Sequence, residues 1–203
     1  MDKNRLTAFS DGVFAIIITI MVLQLKAPEN GEWRALAPLA PTFLAYALSF
    51  AYVAIYWNNH HHLLQATRRV SGGILWANML LLFGLSLVPF STAWLSAAHF
   101  AAAPATLYGL TLLAPGVADY FLSRLLISSG ALHEATAQAI GSDRKARVSL
   151  LLYAVGVGLA SFAPWVAIAI YGFVATLWLV PDRRIEDALR VAKEQEFRGG
   201  DRR

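Results

Sequence analysis

Long apolar runs without alternation dominate this chain, and each approaches the length of a membrane crossing. About 20 apolar residues carry a helix across the hydrocarbon layer, whereas membrane-spanning strands would show short alternating segments. Runs near residues 7–25, 36–57, 72–95, 104–127, 147–163 and 164–181 therefore predict six transmembrane helices and an all-α polytopic membrane protein. The last two runs are short and are parted only by Ala163-Pro164-Trp165. The first has no small-residue cleavage site after a short apolar core, so it reads as a retained helix and not a signal peptide. Six crossings put both termini on one side.

Basic residues orient the bundle. Of the 17 Lys and Arg, all but Lys26 and Arg34 fall before the first run, between the second and third, between or beside the fourth and fifth, or after the last. The positive-inside rule then places both termini in the cytoplasm and the chain in the cell (inner) membrane. Residues 1–181 form the transmembrane domain and 182–203 a charged cytoplasmic tail, in which Ile185, Leu189 and Ala192 share one helical side. The net charge of +4 is thereby explained by topology, and no nucleic-acid partner is needed. With 57% hydrophobic and 15% charged residues, the partner is the lipid bilayer. The chain has no cysteine, which excludes disulfides and thiolate chemistry.

One charge stands inside an apolar run. Asp11 lies in Arg5-Leu6-Thr7-Ala8-Phe9-Ser10-Asp11-Gly12-Val13-Phe14-Ala15-Ile16, and a charge at bilayer depth costs about 2.5–3.5 kcal/mol even on lenient scales. It must be paired, and such a residue usually marks function. The pattern Arg-x-x-x-Phe-Ser-Asp-Gly, followed by Val-Phe-Ala-Ile, resembles the first-helix signature of the endosomal/lysosomal potassium channel family, transmembrane protein 175, in its bacterial branch. Trp57-Asn58-Asn59-His60-His61-His62 at the end of the second run is similar to a second mark of that family.

The resemblance implies a potassium-preferring cation channel with K⁺ as its permeant partner. Only one such motif occurs and no 20–50-residue repeat is visible, while animal members carry two six-helix units per chain. A single unit implies a homotetramer. In the family the first helices line the pore, and the isoleucine seven residues after the motif phenylalanine, here Ile16, forms the narrowest ring. Advancing 100° per residue, Thr19, Ile20 and Leu23 fall with Ile16 on a stripe about 100° wide, and Asp11 lies about 140° away. A ring of four Ile16 side chains would dewet and resist ions until the helices move. The chain contains no Thr-Val-Gly-Tyr-Gly filter loop, so a carbonyl cage is excluded and the Thr19 hydroxyl or the ring itself must select.

Asp11 needs partners at its own depth. The second and third helices bring Trp57, Asn58, the histidines and Asn78 to the same membrane side, which predicts a polar network of Arg5, Ser10, Asp11, Trp57, Asn58 and His61 clamping the pore helix to its scaffold. Spacing does not say which of His60, His61 and His62 takes part. Adjacent residues on a helix point 100° apart, so the three histidines predict no metal site, and nothing calls for a cofactor. Asp119 and Arg124 lie five residues apart and are expected to face differently, Arg124 snorkelling to the interface and Asp119 bonding locally or serving the permeation route or a subunit contact. The competing function is a proton-coupled or proton-conducting secondary transporter using Asp11 and the His60–His62 region. An enzyme is not expected, because no His-Glu-x-x-His, Gly-x-Ser-x-Gly or second aspartate motif accompanies Asp11.

Overall fold

In the computed structural model, residues 2–132, 134–141 and 144–179 are described. The charged tail 182–203 lies outside the described residues. The chain runs through α1 (Lys3–Val22), a 3₁₀ turn (Trp33–Leu39) leading into α2 (Ala40–Ala66), α3 (Gly72–Ser86), α4 (Val88–Ala97), α5 (Ala102–Ser128), α6 (Glu134–Gly141), α7 (Arg144–Ala160) and α8 (Pro164–Leu179). Among the described residues, Lys3–Val22, Trp33–Ala66, Gly72–Ala97 and Ala102–Ser128 are long and apolar enough to cross a membrane, and Pro164–Leu179 is a shorter apolar helix.

Local chemistry sets several of these boundaries. Asp2 caps α1 by accepting from the Asn4 amide, and Ser71 caps α3 by accepting from Ile74, each offsetting one of the donors that a helix start leaves unpaired. Pro89 stands in the first turn of α4. With no N–H to donate and a ring that crowds the preceding turn, it breaks the third apolar run at Leu87, which hydropathy alone reads as continuous. Two other expectations change. The second helix does not end near residue 57 but runs to Ala66, so the Trp57–His62 segment lies within it. Polar Asn, His and Gln end a hydropathy window without ending a helix, because their backbones bond as well as any other. The short α6 is marked by no apolar run, and the run at 36–57 does not separate the 3₁₀ turn from α2.

α5 sits at the centre of the bundle and packs against α3, α4, α7 and α8, while α1 rests on α2, α3 and α4. Lipid offers little hydrophobic drive between helices, so close backbone approach and hydrogen bonds do the work. Gly84 of α3 meets Pro115 of α5, where a Cβ would come within 3.1 Å of the proline ring. Tyr171 of α8 fills a notch made by Gly109 and Gly156. Buried hydroxyls then join helices: Ser49 bonds Thr92 at 2.7 Å and Tyr108 at 3.0 Å, and Ser91 bonds Thr111 at 2.8 Å.

The loops gather by end. Lys3 Nζ donates to the Gln65 carbonyl at 2.7 Å, and the Arg68 amide donates to the Ala131 carbonyl at 2.8 Å. The start of α1, the α2–α3 connection and the end of α5 therefore share one end of the bundle. At the other end Phe100, at φ 61°, closes α4 by donating to the Leu95 carbonyl and stacks on Trp165 with ring centroids 4.8 Å apart.

Candidate functional site

α1 has two unlike faces. Leu6, Ser10, Phe14, Ile17 and Met21 recur at helical spacing and are buried against the rest of the chain. Opposite them, Phe9, Ile16, Ile20 and Leu23 are 53%, 59%, 45% and 75% exposed, with Gly12 and Thr19 also open on this side. The sequence expectation grouped Ile16, Thr19, Ile20 and Leu23, and all four lie uncovered in the single chain. Phe9 and Gly12 extend the same stripe toward the N-terminus. Their positions are readable from the 100° step but were absorbed into the motif. Thr19 Oγ1 donates to the Ile16 carbonyl at 2.9 Å. That bond occupies the hydroxyl hydrogen and leaves the oxygen lone pairs free to face a cation.

Behind α1 the polar residues divide into two groups. The inner group is a buried row in which Ser10 Oγ donates to the Leu6 carbonyl at 2.9 Å, Asn78 Nδ2 donates to Ser10 Oγ at 3.1 Å, and His60 Nε2 donates to Asn78 Oδ1 at 2.7 Å. Ser10, His60 and Asn78 are at most 1% exposed, and the His60 ring also packs on Phe14 with centroids 5.5 Å apart. Three helices thus meet at one amide. The outer group is half-exposed: Trp57 Nε1 donates to Asp11 Oδ1 at 2.9 Å, the Trp57 ring stacks on His61 at 5.5 Å, and His61 bonds Gln65 at 2.8 Å.

The sequence-predicted cluster is therefore only partly gathered. Asp11 and Trp57 are in direct contact, Ser10 belongs to the inner row, and His61 touches Asp11 only through Trp57. Arg5 is exposed and has no hydrogen-bonding or ionic partner among the described residues. Asn58 turns away from α1 and lines a cavity on the other side of α2. One residue step is 100°, so Trp57 and Asn58 cannot both face α1. His60 and Asn78 were the members that sequence reasoning did not assign; His60 is three residues from Trp57 and so shares roughly its face. The three histidines diverge, His60 to Asn78, His61 to Trp57 and His62 to the cavity.

That cavity, of about 410 Å³, lies between α2, α5, α6, α7 and α8. Asp119 and Arg124 both line it, contrary to the expectation that their five-residue spacing sets them on different surroundings. The cavity is wide enough to take residues from an arc of about 140° on α5.

The family model described as endosomal/lysosomal potassium channel TMEM175 matches residues 5–89. The chain is 49% identical over 190 residues to a potassium channel of Chryseobacterium sp. (strain P1-3), covering 94% of this chain and 99% of that one. It is 34% identical over 189 residues to a potassium channel of Streptomyces collinus, covering 86% and 90%. Among solved structures it is similar to the crystal structure of a lysosomal potassium-selective channel TMEM175 homolog from Chamaesiphon minutus. The TM-score is 0.77 at 28% identity, over 87% of this chain and 96% of that one. An all-α, multi-pass integral membrane protein with these relatives and this fold belongs to the TMEM175 family.

Proposed function

We propose that four copies of this chain assemble in the cell membrane, each with six crossings and cytoplasmic termini, as a potassium-preferring cation channel whose pore is lined by α1. The observation that carries the reading is the uncovered stripe of Ile16, Thr19, Ile20 and Leu23 on a helix whose opposite face is locked by packing and hydrogen bonds. A pore-lining helix needs one fixed face and one free face. Relatives that are named potassium channels along nearly their whole length support the choice of ion.

In this account the Ile16 ring is the constriction. It is apolar enough to dewet, so it blocks ions when narrow and passes them when the helices part. Thr19 stands one turn further along with its hydrogen committed to the Ile16 carbonyl, so its oxygen is oriented toward the axis without further ordering. Partial replacement of hydration water by four such oxygens gives modest selectivity, weaker than a carbonyl cage. The inner row and the Asp11–Trp57 bond fix the azimuth of α1, and with it the direction in which Ile16 points.

A proton pathway through the same residues is less well supported. A relay needs groups that both donate and accept along its length, and the amide of Asn78 interrupts the row between His60 and Ser10. The row ends at the Leu6 carbonyl. Purified protein in a planar bilayer under a K⁺/Na⁺ bi-ionic gradient tests the proposal. Step conductances with a reversal potential favouring K⁺ are expected, and smooth, stepless currents would point to a transporter.

A further inference from the structure

We propose that the cavity between α2, α5, α6, α7 and α8 binds the phosphate of an anionic membrane lipid drawn from the leaflet on the side where α1 begins and α8 ends. It opens at the bundle end where the start of α7 and the end of α5 meet, and reaches inward to Tyr52 and Gly116 near the midpoints of α2 and α5. Arg124, Lys145 and Arg147 line it against a single carboxylate, Asp119, among the described residues. Basic pockets between transmembrane helices on the cytoplasmic side are suited to phosphate-bearing headgroups. Two of the cations lie over aromatic rings, Lys145 Nζ 4.6 Å over Trp178 and the Arg124 guanidinium 5.9 Å from the Tyr120 centroid. Trp178 is itself anchored by donating to Ser149 Oγ at 2.8 Å.

A second observation points to a ligand. Thr136 lines the same cavity, is 1% exposed, and its Oγ1 has no hydrogen-bond partner among the described residues. A buried hydroxyl left unpaired is costly, and a phosphate oxygen in the cavity would accept its hydrogen. The remaining wall decides between a free anion and a lipid. Ile127, Ile140, Leu150 and Leu179 give the cavity an apolar flank that a hydrated inorganic anion would not use and an acyl chain would. A phosphodiester with hydrocarbon attached satisfies the cations, the hydroxyl and the flank together.

The test uses the full-length protein in detergent and a short-chain fluorescent phosphatidylglycerol, with the matching phosphatidylcholine as control. Phosphatidylglycerol is expected to bind at least about tenfold more tightly, and Lys145→Gln/Arg147→Gln to lose about tenfold in its affinity. Because that variant also removes contacts within the protein, Thr136→Val provides a gentler probe. It is expected to weaken phosphatidylglycerol binding several-fold while leaving the unliganded unfolding temperature unchanged or higher, which a purely structural threonine would not do. Equal binding of the two lipids, or unaltered phosphatidylglycerol binding by Thr136→Val and the double variant, would overturn the proposal. Binding of inorganic phosphate alone at the same affinity would overturn the lipid source in favour of a free anion.

Discussion

Asn78→Leu isolates the bond that ties α1 to its scaffold. Leucine keeps asparagine's branching at Cγ with greater bulk, so the substitution leaves no void and removes the polarity. Two hydrogen bonds disappear, Asn78 Nδ2 to Ser10 and His60 Nε2 to Asn78 Oδ1. Ser10 keeps its bond to the Leu6 carbonyl, but His60, 1% exposed, is left with a buried donor facing a methyl group. Interhelical hydrogen bonds within membranes average about 0.6 kcal/mol and reach about 1.7, while an orphaned buried donor costs about 1–3 kcal/mol. Together these give about 2 kcal/mol, nearly all of it from His60. For a chain of this size each kcal/mol moves the midpoint by about 2–4 °C, so the variant should unfold about 4–8 °C earlier in the same detergent. A double-mutant cycle with His60→Leu makes the reasoning sharper. Once Asn78 is leucine, removing His60 should cost less than it does in the wild-type background, because the orphan is removed with it. Strict additivity, or a midpoint for Asn78→Leu within about 1 °C of wild type, would refute the assignment of this row as the clamp.

Trp57→Phe should shift the midpoint only slightly, by about 1–3 °C on the same scale, since its bond to Asp11 lies in a half-exposed site. Asp11→Asn should be milder still in thermal melts, because an amide oxygen accepts the same indole hydrogen; loss of the folded protein would show further donors around the carboxylate. Gly109→Ala should prevent accumulation of folded protein, as the new methyl overlaps the Tyr171 hydroxyl and ring, and Tyr171→Phe in the same chain should restore part of the yield in size-exclusion chromatography. Tyr171→Phe alone should be neutral or stabilising by melting temperature, because that hydroxyl is buried without a partner among the described residues. Thr19→Val, which keeps the shape and removes the oxygen, should reduce K⁺ over Na⁺ preference in reversal potentials, and an unchanged ratio would move selectivity to the Ile16 ring.

The sequence carries the crossings well because their signal is gross composition. It carries the facing of helices poorly, since helices surrounded by lipid and by one another are apolar all round and the polar/apolar contrast that orients a soluble helix is missing. α2 shows this best. Nothing in its hydropathy says that Trp57 and His60 turn to α1 while Asn58 turns to the cavity, and treating residues 57–62 as one block placed Asn58 and His61 in a cluster where only part of the block fits. The 100° step was sufficient to separate Trp57 from Asn58, but an anchor was needed to say which faces inward, and only the contact with Asp11 supplies it. In α1 the motif supplied that anchor, and the stripe carrying Ile16 was legible. The break at Leu87 was legible in Pro89 and was overridden by a continuous apolar run. Asp119 and Arg124 required the cavity itself, because a wall built from five helices has no signature in any one of them.

The central claim is that Ile16 faces the conduction path. Because the chain has no native cysteine, Ile16→Cys introduces a single reporter, and a cationic thiol reagent applied to open channels in a planar bilayer reads it directly. The account predicts rapid and lasting loss of K⁺ current in Ile16→Cys, with wild type unaffected and Phe14→Cys, on the buried face of the same helix, modified far more slowly. Undiminished current after the reagent has demonstrably reacted with Cys at position 16, or equal block through position 14, would contradict it.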